Sequence, residues 1–346
     1  MFWGELAMIR VLIADDSSLT RAILAEIFAA SGDICVAGEA VNGQEALRET
    51  ERLKPDLIVM DLLMPVMDGL SAIEEIMARC PTPILVLSAT LEDQEVDRAF
   101  AAIKRGALDV LPKPSASELA LPEGFAAALL DKVRLLSRIR VIRHPLRLRK
   151  EVPVEPAHGG YRNILAIGAS TGGPKAVLGI VRSLPSAFPG VVFVVQHIAS
   201  GFAKGFADWI NRESRMRVKL AEDGEECRPG VAYVAPNDCH MEVAGGRVRL
   251  LTAEPVNNCI PSIDVLFRSL AAESGSHVVG VLLTGMGRDG AQGLKCIKER
   301  GGTTIVQDEQ SCVVFGMPKA AIGLAAADQV LPLDSIPAAV QKLFTK

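Results

Sequence analysis

Short, mostly apolar runs recur along the chain, and each is followed by a polar cluster. In the first part they are Ile9–Ala14, Leu57–Met60, Ile84–Leu87 and Leu108–Leu111. Further on they are Ile164–Ile167, Val191–Val195 and Val278–Leu283. Runs this short and continuous predict strands buried on both faces. Segments of helical spacing separate them, among them Thr20–Ala30, Phe125–Val141 and a stretch opened by Pro174. Strand and helix in alternation predict parallel sheets covered by helices on both sides. The expected fold is α/β, a doubly wound parallel sheet followed by a second doubly wound α/β domain. Periodicity lapses from Arg143 to Gly160, where Pro145, Pro153 and Pro156 fall. That stretch predicts a linker of mixed stiffness. The expected division is therefore a first domain at 8–125, a helix and linker at 126–160, and a second domain at 161–346.

The polar residues after the strands carry the candidate chemistry, because sites in open α/β sheets form at the carboxyl ends of strands. In the first domain these are Asp15 and Asp16, then Asp61, then Ser88, then Lys113. Three carboxylates on one edge repel one another unless a cation joins them. Hard oxygen ligands with room for waters and a phosphate favour Mg²⁺. Lys113 would then meet a phosphoryl group as a point charge, and the Ser88 hydroxyl would hydrogen-bond it. A carboxylate can accept a phosphoryl group. Asp61, alone on the central strand, is the expected acceptor. Singly, each acid reads equally well as a turn or cap residue, with Asp16 an N-cap for the Thr20–Ala30 helix. The joint pattern points to the site.

In the second domain, Gly168-Ala169-Ser170-Thr171-Gly172-Gly173 follows a strand and precedes a helix. A serine on such a turn is held exposed near the positive end of a helix dipole. Neighbouring backbone N–H groups can stabilise an oxyanion. A P-loop would need Lys directly after the last Gly, and a dinucleotide fingerprint would need Gly at Ser170. A plain turn with a surface serine remains possible for this segment alone. His197 after the next strand and Asp289 after a third would share its edge. A nucleophile, a base and an acid that orients the base form a triad, with the acid expected on the imidazole Nδ1–H. Other histidines fit less well. His144 and His158 lie in linker-like sequence, and His277 precedes its strand. Cys239-His240 hints at metal, but no second Cys/His pair has zinc spacing.

With 346 residues the chain is long enough for two cores, and 49% of it is hydrophobic. No apolar run reaches membrane-spanning length. Met1–Ala7 lacks the basic start of a signal peptide, and Met8 is a candidate natural start. Seven cysteines without a CxxC pair predict reduced thiols and a cytoplasmic location. A net charge of −4 gives nucleic-acid binding no global support. The basic stretch Arg138–Lys150 lacks interleaved aromatics and reads as solvated.

The Asp-Asp, Asp, Ser and Lys series makes the first domain resemble a response-regulator receiver domain. That resemblance implies Mg²⁺ at Asp15, Asp16 and Asp61, phosphorylation of Asp61 by a histidine kinase, and sensing by Ser88 and Lys113. Val110 departs from the aromatic switch residue that many receivers carry. The second domain resembles the catalytic domain of the CheB family of protein-glutamate methylesterases. The resemblance rests on Ile167–Pro174, Val195-Gln196-His197, Pro261–Phe267, Leu283–Ala291 and Gly316–Ala320. It implies a triad at Ser170, His197 and Asp289, with Thr171 and Met286 in the oxyanion turns and no cofactor for the esterase. Asn258-Cys259-Ile260 departs from a basic pair that tends to precede this Pro, and Cys312 replaces a small hydroxyl residue.

By resemblance, the expected reaction is hydrolysis of glutamyl methyl esters on the cytoplasmic part of a chemoreceptor, with deamidation of receptor glutamine as a related activity. The implied partners are the methylated receptor and a histidine kinase, with neither nucleic acid nor membrane insertion. An unphosphorylated receiver is expected to restrain the esterase. The alternative is a non-catalytic, phosphorylation-driven signalling module outside chemotaxis. The intact triad argues against it.

Overall fold

A computed structural model describes residues 8–88, 93–113, 124–139, 141 and 163–344. The expected linker falls almost wholly outside them. Two compact units are formed, residues 1–148 and 149–346.

The first unit alternates strictly. Its elements are β1 (Ile9–Ala14), α1 (Ser18–Ser31), β2 (Ile34–Ala40), α2 (Gly43–Leu53), β3 (Leu57–Asp61), α3 (Gly69–Arg79), β4 (Ile84–Ser88), α4 (Asp93–Arg105), β5 (Asp109–Pro112) and α5 (Phe125–Leu136). The sheet order is β2-β1-β3-β4-β5, parallel throughout. β1 and β3 are therefore neighbours, and the order reverses between them, which is where such sheets place their sites. Ser17, rather than Asp16, caps α1, its Oγ accepting from Thr20 N at 3.3 Å. Asp16 is thus left free of capping. The helix that the sequence reading grouped with the linker packs into this unit. Phe125, Leu129, Val133 and Leu136 of α5 are buried against Val11, Ile13 and Phe28. Arg134 also pairs with Asp33 at 2.7 Å. The helix ends at Leu136, short of the expected Val141.

The second unit begins in the middle of its sheet. Its first elements are β6 (Ile164–Ala169), α6 (Gly173–Ser183), β7 (Val191–Gln196), α7 (Ala203–Glu213), β8 (Arg217–Leu220) and β9 (Val231–Val234). A hairpin of β10 (His240–Ala244) and β11 (Arg247–Leu251) follows. The chain then runs through α8 (Ile263–Ser274), β12 (Val278–Leu282), α9 (Ala291–Glu299), β13 (Thr303–Gln307), α10 (Met317–Gly323), β14 (Gln329–Leu331) and α11 (Ile336–Phe344). The order β14-β13-β12-β6-β7-β9-β8 is again all parallel. The chain builds outward from β6 on one side, then returns to lay β12 on the other. That reversal opens a crevice at the carboxyl end of β6. The hairpin turns at Gly245-Gly246, both with positive φ (60° and 70°), as a two-residue hairpin turn of the favoured hand requires. Among the described residues no helix is long and apolar enough to cross a membrane.

Candidate functional sites

The register of three strands brings Ser170, His197 and Asp289 to one edge. Ala169 at the end of β6 is level with Gln196 at the end of β7, so Ser170 and His197 leave the sheet side by side. On the other flank Leu282 of β12 pairs with Gly168. The backbone stitches these exits together: His197 N donates to Ala169 O at 2.9 Å, and Ser170 N to Thr284 O at 3.0 Å. Gln196, buried, donates from Nε2 to Ser170 O at 2.8 Å and to His197 O at 2.9 Å. Thr284 Oγ1 donates to Thr171 O at 2.9 Å. A Cβ on Gly285 would lie 2.6 Å from Ser170 Cβ, so only glycine lets the β12 loop pass this close. Ser170 immediately precedes the turn into α6, with Gly173 N donating to Ser170 O at 2.7 Å. Thr171 is buried within that turn, while Met286 is exposed on the facing loop.

Asp289 is almost fully buried and anchors the site. Its Oδ2 accepts from His197 Nε2 at 2.9 Å and Ile263 N at 2.7 Å. Its Oδ1 accepts from Ser262 Oγ at 2.8 Å, Asn257 Nδ2 at 2.9 Å and Asp264 N at 3.3 Å. Burial pushes the Asp289 carboxyl up, but the hydrogen bond and charge of His197, with Asn257 and Ser262, outweigh it and hold the group below its ordinary value. Burial likewise opposes charge on His197, yet the bonds to Asp289 and Cys259 raise that imidazole to about 9. The sequence reading put Asp289 on Nδ1; the structure puts it on Nε2. The start of α8 clamps the carboxylate, so the ring meets it with its outer nitrogen. Nδ1 has the Cys259 sulfur 3.8 Å away. Among the described residues, Ser170 Oγ makes no hydrogen bond to His197, so the edge holds a closed His197–Asp289 pair with the serine beside it.

Four contributors were given no part in this site by the sequence. Ser262 and Asn257 hold Asp289. His240 Nδ1 accepts from Ser262 N at 3.0 Å, and its Nε2 donates to Glu254 O at 3.0 Å. Both ring nitrogens are therefore engaged, and the metal hint at Cys239-His240 gives way to a structural role. Gln196 is the fourth; its place directly before His197 was its only signal. Asp264 accepts from Gly293 N at 2.6 Å at the start of α9. A cavity of about 430 Å³ lies alongside, lined in part by Asn257, Asp264, Arg268, Arg288 and Leu324.

The first unit gathers its own cluster. Ligand oxygens of Asp15, Asp16 and Asp61 lie within 4.8 Å of one another. Lys113 Nζ is 2.7 Å from Asp15 Oδ2 and 3.1 Å from Asp61 Oδ2. Burial raises the Asp61 carboxyl; the Asp15 charge adds to this, and Lys113 only partly offsets it. Ser88 Oγ is buried without a hydrogen-bond partner. Crowded carboxylates and an unmet hydroxyl fit a hard divalent cation and a phosphoryl group. Val110 is buried in β5 as ordinary core.

Comparison with known proteins agrees with both units. Residues 165–340 match the CheB methylesterase family, and residues 11–121 match the response regulator receiver domain. A protein-glutamate methylesterase/protein-glutamine glutaminase of Anaeromyxobacter dehalogenans is 46% identical over 97% of each chain. One from Archaeoglobus fulgidus is 41% identical over 94% of this chain and 95% of its own. The crystal structure of the Thermotoga maritima CheB methylesterase catalytic domain is 41% identical, covering 54% of this chain and 98% of that one at a TM-score of 0.51. With a receiver sheet, a methylesterase sheet and full-length relatives in agreement, the chain belongs to the CheB family of protein-glutamate methylesterase response regulators.

Proposed function

We propose that the second unit hydrolyses γ-glutamyl methyl esters on the cytoplasmic helices of a methylated chemoreceptor, with Ser170 as nucleophile, His197 as base and Asp289 as the group that orients it. The observation that carries this reading is the hydrogen-bonded His197–Asp289 pair on the same sheet edge as Ser170. Ser170 Oγ attacks the ester carbonyl carbon, and its proton passes to His197 Nδ1. The C–O bond to the methoxy group breaks, and that proton leaves with it as methanol. Water then attacks the glutamyl-enzyme, again losing a proton to His197, and Ser170 is released. Asp289 fixes the Nε2–H tautomer and stabilises the imidazolium. Backbone N–H groups of the Thr171 and Met286 turns take the oxyanion. The same steps with ammonia as leaving group give deamidation of receptor glutamine.

In the first unit Asp61 accepts a phosphoryl group from a histidine kinase, and Ser88 and Lys113 bind it. Asp15, Asp16 and Asp61 would hold Mg²⁺, which neutralises charge on the transferring group. Phosphorylation at Asp61 relieves restraint on the esterase, a coupling of about 1–3 kcal/mol in typical cases. The test is methanol release from methylated receptor by Ser170→Ala. Loss on the order of 10⁶ in kcat is expected. A wild-type rate would remove Ser170 from its role.

A further inference from the structure

Asp289 takes one ring nitrogen of His197, and a thiol faces the other. Cys259 Sγ lies 3.8 Å from His197 Nδ1 and 3.4 Å from Asn257 O. It is half-buried, within reach of small molecules from solvent. Thiol, imidazole and carboxylate thus form a continuous line. In such a line the thiol proton can pass to Nδ1 while the carboxylate steadies the imidazolium, leaving a thiolate. Burial pushes the thiols of Cys80 and Cys239 up, that of Cys227 to about 11 and that of Cys312 to about 12.

We propose that Cys259 is a modification site, a thiol held against His197 that passes its proton to Nδ1 as it reacts with hydroperoxides and other soft electrophiles, and whose modification switches off the esterase. The sulfur attacks the terminal oxygen of the hydroperoxide. An S–O bond forms as the O–O bond breaks, and the departing oxygen takes the proton from Nδ1 and leaves as water or an alcohol. The sulfur becomes a sulfenic acid and the peroxide is reduced by two electrons. A small thiol then displaces water to give a mixed disulfide, and a second thiol frees Cys259. While the oxygen or the disulfide is present, it occupies the space beside Nδ1 that Ser170 needs. The switching-off rests on the reading of His197 as the esterase base; the thiol's reactivity does not.

The experiment uses the full-length protein, iodoacetamide at pH 7, and peptide mass spectrometry to follow each cysteine over time. Cys259 should alkylate at least roughly tenfold faster than Cys227 and Cys312. His197→Gln should bring it down to their range, while Ser170→Ala leaves it fast. Slow labelling of Cys312 in the same digests confirms that each variant is folded. Cys259 reacting no faster than the others, or unaffected by His197→Gln, overturns the proposal. Hydrogen peroxide should then remove esterase activity in step with Cys259 oxidation, and dithiothreitol should restore it. Cys259→Ser should keep its own untreated rate through the same treatment. A parallel loss in Cys259→Ser overturns the switching-off. A wild-type protein inactive on methylated receptor overturns the esterase reading and the switching-off with it, while the labelling rates still decide the thiol.

Discussion

Replacing Asp289 with Asn changes one oxygen to an NH₂ group in a site where both oxygens receive donors. If the amide oxygen keeps the Oδ1 position, the NH₂ faces Ile263 N–H and His197 Nε2. If it keeps the Oδ2 position, the NH₂ faces Ser262 Oγ, Asn257 Nδ2 and Asp264 N. Ile263 N–H loses its acceptor in the first case, and Asn257 Nδ2 and Asp264 N–H lose theirs in the second. At about 1–3 kcal/mol for each unmet buried group, the second unit should lose at least about 1 kcal/mol and up to about 6 kcal/mol. The chemical effect is separate. An NH₂ facing the ring draws a lone pair on Nε2, which moves the proton to Nδ1 and removes the base that Ser170 needs. An analogous tautomer error costs roughly 10⁴ in kcat in another triad enzyme. Denaturant unfolding of the fragment from Tyr161 gives the first quantity. Methanol release from methylated receptor, corrected for the folded fraction, gives the second. A stability change below about 0.5 kcal/mol would refute the anchoring argument, and a near-native kcat would refute the orienting role.

His197 must be neutral to act as base, so kcat/KM should rise as pH climbs from 6.5 toward about 9. Stability should run the other way: a raised imidazole pKa contributes fully below 6.5 and is lost as pH rises through about 9. The Tm difference between wild type and His197→Gln should shrink over that window, and a widening difference contradicts the assignment. Asp61→Asn should abolish Mg²⁺-dependent labelling by a small phosphodonor; undiminished labelling moves the acceptor to Asp15 or Asp16. A fragment beginning at Tyr161 should demethylate receptor faster than the unphosphorylated full chain, and phosphorylation should raise only the full chain's rate. Equal rates would exclude inhibition by the first unit.

Both sheets were legible in the sequence because their central strands are mostly apolar runs buried on two faces. The signal fails in some of the strands that went unnamed. Ile34–Ala40 is interrupted by Gly38 and Glu39, and Gln329–Leu331 is three residues long at a sheet edge. The β10–β11 hairpin was legible from Gly245-Gly246 between two alternating runs, but parallel-sheet patterning directs attention elsewhere. The residues after the strands pointed to both sites. Their support did not show, because Ser262 and Asn257 reach Asp289, and His240 reaches Ser262, through tertiary contacts that no spacing encodes. The choice between Nε2 and Nδ1 was likewise invisible, since it depends on where α8 clamps a carboxylate.

The central place of β6 has a consequence for the timing of activity. Asp289 bonds His197 across 92 residues of chain, and Thr284 bonds Thr171 across 113. β6 waits for β12 before its second flank is paired, so a ribosome-bound chain has the serine and histidine long before it has the acid. Long-range parallel pairing of this kind is slow to form. On the proposed triad, a newly made molecule should therefore become an enzyme only late in folding. A chain ending before Asp289 should release no methanol from methylated receptor.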